Sequence, residues 1–423
     1  MAHKPLSSLA EEVRKFVLTD FNPRFGALDG SFGSDPVWAG LRKLGSDLWL
    51  DTGDIDAAGE LWTREFTSLT TNNTLLNKEV QKGHYDSLIP RIGELLDAYD
   101  LDERQRTLEF AFVLNALHGL RLVEWFDAYV SVEEHTELAH DLQGAIDAAR
   151  RYHAICPQRF IVKIPFTPAG VLAARQLHKE SIAVNLTLGF SARQNHVIAR
   201  LAQPAFVNVF LGRLNAFVAD NRLGDGKYVG ERATLASQSE VRKLRASHAI
   251  PSRLIAASFR EGIQVRDLAG VDVLTMPPKV AREFLDFQIP PGALRDNTHE
   301  DYEPTLASGV DFFETGLGTL WDVGLDVTAC VDELEKENLD TFSPDDLVAY
   351  FAERGCGDVL VKWTPRQVAT SMEEGKIPKM SNWRKLLASG QVGLDALMNL
   401  AGLNSFAADQ RAMDEKVKSV LVG

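Results

Sequence analysis

The chain has 423 residues, enough for one large domain with additions or for two to three domains of ordinary size. Apolar residues make up 45% of it and charged residues 25%, globular values that exclude a disordered or collagen-like chain. Lysine and arginine total 45 against 59 aspartate and glutamate, a net charge of −14. That charge repels polyanions and argues against nucleic acid as a partner, while one or two arginines can still hold a small phosphorylated ligand locally.

The three cysteines, Cys156, Cys330 and Cys356, are far apart and form neither a C-x-x-C pair nor a zinc-site spacing, as in a reducing compartment. The N-terminus lacks a basic-then-apolar leader, and no apolar run approaches the roughly 20 residues that cross a bilayer. The expectation is a cytosolic protein, neither secreted nor membrane-bound.

In chain order, residues 6–18 carry apolar positions at helical spacing, and residues 19–40, rich in Gly, Pro and Asp, read as a long loop. From residue 46 strand-length apolar segments alternate with amphipathic helix-length segments. The predicted strands are 47–51, 66–70, 120–124, 160–164, 184–188, 206–210, 254–258 and 271–275. Between them lie predicted helices at 103–118, 133–152, 169–179, 192–202, 238–248 and 280–287. Eight such units over about 250 residues suit a closed (β/α)₈ TIM barrel. A doubly wound sheet is the competing architecture, but no G-x-G-x-x-G or G-x-x-x-x-G-K-[ST] follows any strand to support a nucleotide site. Residues 288–304, with Pro, Gly and mixed charge, mark a boundary. Beyond it the chain reads as helices at 326–339, 344–354, 382–389 and 409–421, with a strand-like 359–362. The expected organisation is therefore an N-terminal helix and loop at 1–45, a catalytic barrel at 46–290 and a mostly helical extension at 291–423.

A barrel of this kind carries its chemistry at the C-terminal ends of its strands. There FIVKIP sets Lys163 in an almost wholly apolar run, where desolvation favours the free amine that attacks a carbonyl. A lysine at a strand edge that reaches solvent, or one paired with a carboxylate, fits the same run. Along VNLTL the period-two alternation places Asn185 and Thr187 on one face, and VNVFLGR does the same for Asn208 and Phe210. Asp51 in WLDTGD is either an acid/base group or a helix cap. Arg213 and Arg260, the latter near Ser258, lie at or near helix starts and suit a phosphate, although surface arginines also serve as ion-pair partners.

These segments together resemble transaldolase. They are WLDTGD at 49–54, TTN at 70–72, VKIP followed by Thr167, NLTLGFS at 185–191, VFLGR at 209–213 and AASFR at 256–260, in the family's order and near its spacing. The resemblance spans residues 46–287. It implies that Lys163 forms a Schiff base with a ketose phosphate and that Asp51 is the acid/base at the C4 hydroxyl. It further implies that Asn72 and Asn185 hold the three-carbon unit, with Thr70 beside them, and that Thr187 helps to place a catalytic water. Arg213, Ser258 and Arg260 match the phosphate site. Neither metal nor organic cofactor is implied.

Two departures stand out. Ungapped alignment on Asp127-Ala128 puts Trp125 where the family has a third-strand glutamate, so Glu124, one residue earlier, takes that role only through a bulge or shifted register. Asn208 stands where the family has a serine. The stretch 405–421 bears a faint likeness to the family's closing helix, and the other helices of the extension read as core or as a subunit contact in a homo-oligomer.

The resulting expectation is a transferase moving a dihydroxyacetone unit from sedoheptulose 7-phosphate or fructose 6-phosphate to glyceraldehyde 3-phosphate or erythrose 4-phosphate, in the pentose phosphate pathway. A class I aldolase acting on fructose 6-phosphate or a related sugar phosphate is the alternative, against which Phe210 weighs, since an aldolase would favour a hydroxyl there. A non-catalytic sugar-phosphate-binding protein is the remote one.

Overall fold

A computed structural model describes residues 3–28 and 30–422. Eight parallel strands close into a barrel in chain order: β1 (Asp47–Asp51), β2 (Phe66–Thr70), β3 (Tyr129–Glu133), β4 (Phe160–Pro165), β5 (Val184–Thr187), β6 (Phe206–Phe210), β7 (Arg253–Ala257) and β8 (Val273–Met276), with β8 pairing back to β1. The helices between them form the outer layer, as a TIM barrel requires.

The loops leaving the strands' C-terminal ends are fixed by side-chain caps written in the sequence. Asp54 accepts from Ala57 N after β1, Asn72 from Leu75 N after β2, Thr167 from Gly170 N after β4 and Ser191 from Gln194 N after β5. Each cap satisfies an otherwise orphaned helix N–H and sets where the preceding strand stops.

The third strand corrects the sequence expectation. Residues 120–124 lie inside a 24-residue helix, Glu103–Phe126, opened by a capping box between Asp102 and Gln105. This helix is buried on most of its circumference, so its apolar run carries no amphipathic stripe and reads as a buried strand. It presses on the barrel at Gly119, where a Cβ would come within 2.8 Å of Val132 and 2.9 Å of Phe160. The strand itself follows at Tyr129–Glu133, and the predicted helix 133–152 begins at Leu142.

Two smaller expectations also change. A helix Pro36–Lys43, capped by Asp35, forms within the predicted loop 19–40 and buries Trp38 against Phe66 and Phe284. Residues 359–362 are not a strand. The barrel is closed, so no sheet edge is left for a ninth strand to pair with.

The C-terminal region forms the helices Leu325–Leu334, Pro344–Glu353, Pro365–Glu374, Met380–Ala388 and Leu394–Val422. The last, 29 residues long, crosses the strand ends. Asn399 donates from Nδ2 to the carbonyls of Phe166 and Leu188, each at 3.0 Å, just past β4 and β5. Asp395, fully buried, accepts from Arg193 at 2.7 and 2.8 Å and from Ser191 at 2.6 Å, while Asp358 takes the guanidinium's remaining nitrogen at 2.7 Å. Further along, Thr74 donates to Asp409 and His135 meets Asp414 at 3.3 Å. Among the described residues no helix is long and apolar enough to cross a membrane.

Removing one member of a buried, hydrogen-bonded ion pair leaves the other desolvated and unpaired. Asp395→Ala, which strips Arg193 of two of its three carboxylate bonds and Ser191 of its acceptor, is expected to cost about 3–5 kcal/mol. The midpoint of urea unfolding measures this loss.

Candidate active site

A cavity of about 290 Å³ opens at the C-terminal ends of the strands. Lys163 enters it from β4 and is only 4% exposed. Its Nζ donates to the Thr71 carbonyl at 3.1 Å and lies 3.8 Å from Oε1 of Glu133. Strand register explains the grouping: Glu133 on β3, Lys163 on β4 and Asn185 on β5 are successive pairing partners, so the three side chains stand abreast in one layer.

Glu133, rather than Glu124, is therefore the third-strand carboxylate. Glu124 sits on the outer helix, where its Oε1 accepts from Asn22 N at 2.7 Å, and Trp125 beside it is 61% exposed. Burial raises the Glu133 carboxyl above the ordinary range, against the opposing pull of Lys163 and of the Asn73 N–H that donates to it at 3.0 Å. Asp51 closes β1 and lines the same cavity. Its Oδ1 accepts from Thr70 at 2.7 Å, and Thr70 in turn meets Thr275 at 2.7 Å. Burial raises Asp51 as well, with Lys163 acting in the other direction.

The amide residues form a linked set. Asn208 donates to Asn185 Oδ1 at 3.0 Å and to the Leu186 carbonyl at 3.1 Å, and its own Oδ1 accepts from Gly189 N at 3.1 Å. Asn185 donates to Ser131 at 3.2 Å. Asn72 lines the cavity while its Oδ1 caps the next helix, and Thr187 Oγ1 is buried there without a hydrogen-bond partner among the described residues.

At the other side, Arg213, Ser258 and Arg260 come together because two backbones nearly touch. A Cβ at Gly212 would overlap the Ser258 carbonyl, so only glycine permits the approach, and Ser258 itself adopts φ 64°. Gln264 Oε1 accepts from the amides of Arg260 and Glu261 at 2.8 and 3.1 Å and donates from Nε2 to the buried Glu231 at 2.6 Å. Arg213 is buried with Nη1 unpartnered among the described residues, and burial together with the charge of Arg260 lowers its pKa to about 10, so it remains a cation at neutral pH.

Three of the cavity residues that lie outside the sequence expectation bear on its charge. Phe406 on the long C-terminal helix stacks over both cations, 5.7 Å from Lys163 Nζ and 5.4 Å from the Arg213 guanidinium. Lys78 and Lys376 lie at the rim. Phe210 packs between Phe190 and Phe406 at ring distances of 5.8 and 6.4 Å. A larger cleft of about 760 Å³ in the C-terminal region shares no lining residue with this cavity, and its Arg193 and Asp358 pair with each other. Among the described residues no three His, Cys, Asp or Glu side chains are placed to hold a metal ion.

The closed parallel barrel, with a buried lysine and two arginines lining one cavity at its strand ends, defines a lysine-centred TIM barrel. Comparison with known proteins is specific. The transaldolase/fructose-6-phosphate aldolase family matches residues 48–352, reaching beyond β8 into the C-terminal helices. The transaldolase of Xanthomonas euvesicatoria pv. vesicatoria is 35% identical over 265 residues, covering 58% of this chain and 77% of that protein. Those of Chlamydia muridarum and Aliivibrio salmonicida are each 30% identical, covering 59% and 58% of this chain and 76% and 78% of theirs. The chain belongs to the transaldolase/fructose-6-phosphate aldolase family.

The raised Glu133 carboxyl has a consequence for stability. The folded state binds its proton more tightly than the unfolded chain, so its contribution is full below the ordinary carboxylate pKa and is lost as pH rises through the folded value. Glu133→Gln removes that loss, and also the part of the neighbouring Glu134 shift that the Glu133 charge causes. The difference in Tm, variant minus wild type, is therefore expected to grow more positive from pH 4.5 to pH 7.5, followed by calorimetry. A flat or falling difference would contradict the assignment.

Proposed function

We propose that this family member is a transaldolase, transferring a dihydroxyacetone unit from a ketose phosphate to an aldose phosphate through a Schiff base on Lys163, in the manner of the pentose phosphate pathway. The observation that carries the reading is the placement of Lys163, buried beside Glu133 and sharing its cavity with Asp51 and with the pair Arg213 and Arg260.

In this reading the arginines and Ser258 hold the phosphate and fix the sugar's carbonyl end at Lys163. The ammonium first gives up a proton, which Glu133 can accept directly or through water. The free amine then adds to C2, and water leaves. Burial favours the protonated form of Glu133, so the proton is ready to be returned to the departing oxygen. Asp51, raised by the same enclosure, removes the C4 hydroxyl proton; the C3–C4 bond breaks, its electrons pass into the iminium, and the aldose phosphate departs. Asn72, Asn185 and Asn208 retain the three-carbon unit by hydrogen bonds that hold the enamine in place. When an acceptor aldehyde enters, C3 attacks it, Asp51 returns the proton to the new hydroxyl, and water placed near Thr187 releases the product. Phe210 sets a ring rather than a hydroxyl beside the enamine, which disfavours protonating and discarding it and so supports the transferase over the aldolase reading.

Borohydride reduction in the presence of fructose 6-phosphate is expected to leave a three-carbon adduct on the peptide containing Lys163, with turnover that requires erythrose 4-phosphate. Turnover indifferent to the acceptor would make it an aldolase, and no adduct with any ketose phosphate would leave only a binding protein.

The two glutamates separate cleanly by mutation. Glu133→Gln is expected to lower kcat by about 10²–10⁴-fold, whereas Glu124→Gln, on the outer helix, should keep near wild-type kcat. Steady-state assays on the two purified variants decide between them.

A further inference from the structure

The cavity rim holds more positive charge than one phosphate needs. In a chain of net charge −14, the cavity is lined by five cations, Lys78, Lys163, Arg213, Arg260 and Lys376, against one carboxylate, Asp51. Lys163 and Asp51 belong to the reacting end, and the two arginines balance the charge of roughly −1.5 to −2 on a phosphate monoester.

Lys376 differs from the others in origin. It lies beyond residue 352, where the family match ends, in the short link between the helices Pro365–Glu374 and Met380–Ala388. The link is held in place on both sides. Gly375 turns the chain at φ 79° and ψ −138°, a conformation open to glycine. Two residues past Lys376, Asn221 donates to the Pro378 carbonyl at 2.9 Å and accepts from Met380 N at 2.6 Å. Asn221 terminates the helix Leu211–Asp220, whose first turn carries Arg213. The link is thus tied to the element that presents the buried arginine. Lys376 is exposed, lines the cavity and has no ion-pair partner among the described residues, so no carboxylate competes for its ammonium there.

We propose that Lys376 is a substrate-binding residue supplied by the C-terminal extension, its ammonium engaging the phosphate held at Arg213 and Arg260 and so sharpening selection of phosphorylated over unphosphorylated sugars. This rests on the sugar-phosphate reading above. A lysine ammonium on a flexible four-carbon stem meets a phosphate as a point charge without needing the planar match of an arginine.

The test compares Lys376→Ala and Lys376→Glu with Lys379→Ala, an exposed lysine three residues on that does not line the cavity. With glyceraldehyde as acceptor, Lys376→Ala is expected to raise KM for fructose 6-phosphate by about 5–20-fold with kcat little changed. Its kcat/KM for unphosphorylated fructose should equal wild type. The Kd of inorganic phosphate by calorimetry should rise in parallel, more steeply for Lys376→Glu, and Lys379→Ala should match wild type throughout. Equal losses with fructose and fructose 6-phosphate, or an unchanged phosphate Kd, would overturn the proposal. If wild type yields no borohydride adduct on Lys163, the transaldolase reading fails, and the phosphate titration still decides the role of Lys376.

Discussion

An amine 4% exposed inside a closed barrel must be compensated electrostatically or lose its proton, and the arrangement around Lys163 follows from that constraint. The compensation is graded. Glu133 approaches to 3.8 Å without a tight contact, and a neutral carbonyl, that of Thr71, supplies the closest hydrogen bond at 3.1 Å. A carboxylate clamped at 2.7 Å would fix the ammonium form, while an apolar shell alone would leave no proton acceptor. The intermediate geometry sets a carboxyl near the amine without a tight ion pair, and the carboxyls facing it are themselves raised by burial toward easy protonation.

Holding such a layer requires rigid strand ends, and the rigidity is local. The caps at Asp54, Asn72, Thr167 and Ser191 end the loops within four residues of side chains that line the cavity, so each strand end is fixed by a helix N-terminus close behind it. Asn72 serves both purposes with one side chain. On the phosphate side Gly212 does comparable work by its lack of a side chain. It lets two backbones meet so that Arg213 and Arg260 line one cavity, and the pair Gln264–Glu231 anchors the Arg260 loop.

The barrel and most of its lining could be read from the sequence because each depends on short-range signals. Lys163 stands out in FIVKIP as a charge in an apolar run, and the alternation in VNLTL alone puts Asn185 and Thr187 on one face. The third strand escaped because the helix before it is apolar nearly all round, while YVSVE runs into EEHTEL, whose charged residues resemble a helix start. Glu133 was hidden with it: a carboxylate is recognisable as inward-facing only once the register against Lys163 is known. Phe406 and Lys376 are of another kind. Which face of a distant helix, or which residue of a link, meets the barrel mouth depends on long-range packing that no periodicity records.

That packing gives the C-terminal region its importance for the site. Asn399, bonded to the carbonyls that follow β4 and β5, places the long helix over the mouth, and Arg193 with Asp395 holds its first turn at the cost of burying an ion pair. About two turns beyond Asn399 stands Phe406. Its ring face meets both Lys163 and Arg213, so a single apolar residue covers the two cations while its π electrons offset part of their desolvation. An aliphatic residue there would exclude water equally well but leave both charges less compensated. The aromatic ring thus excludes water from the site while Arg213 stays charged for the phosphate.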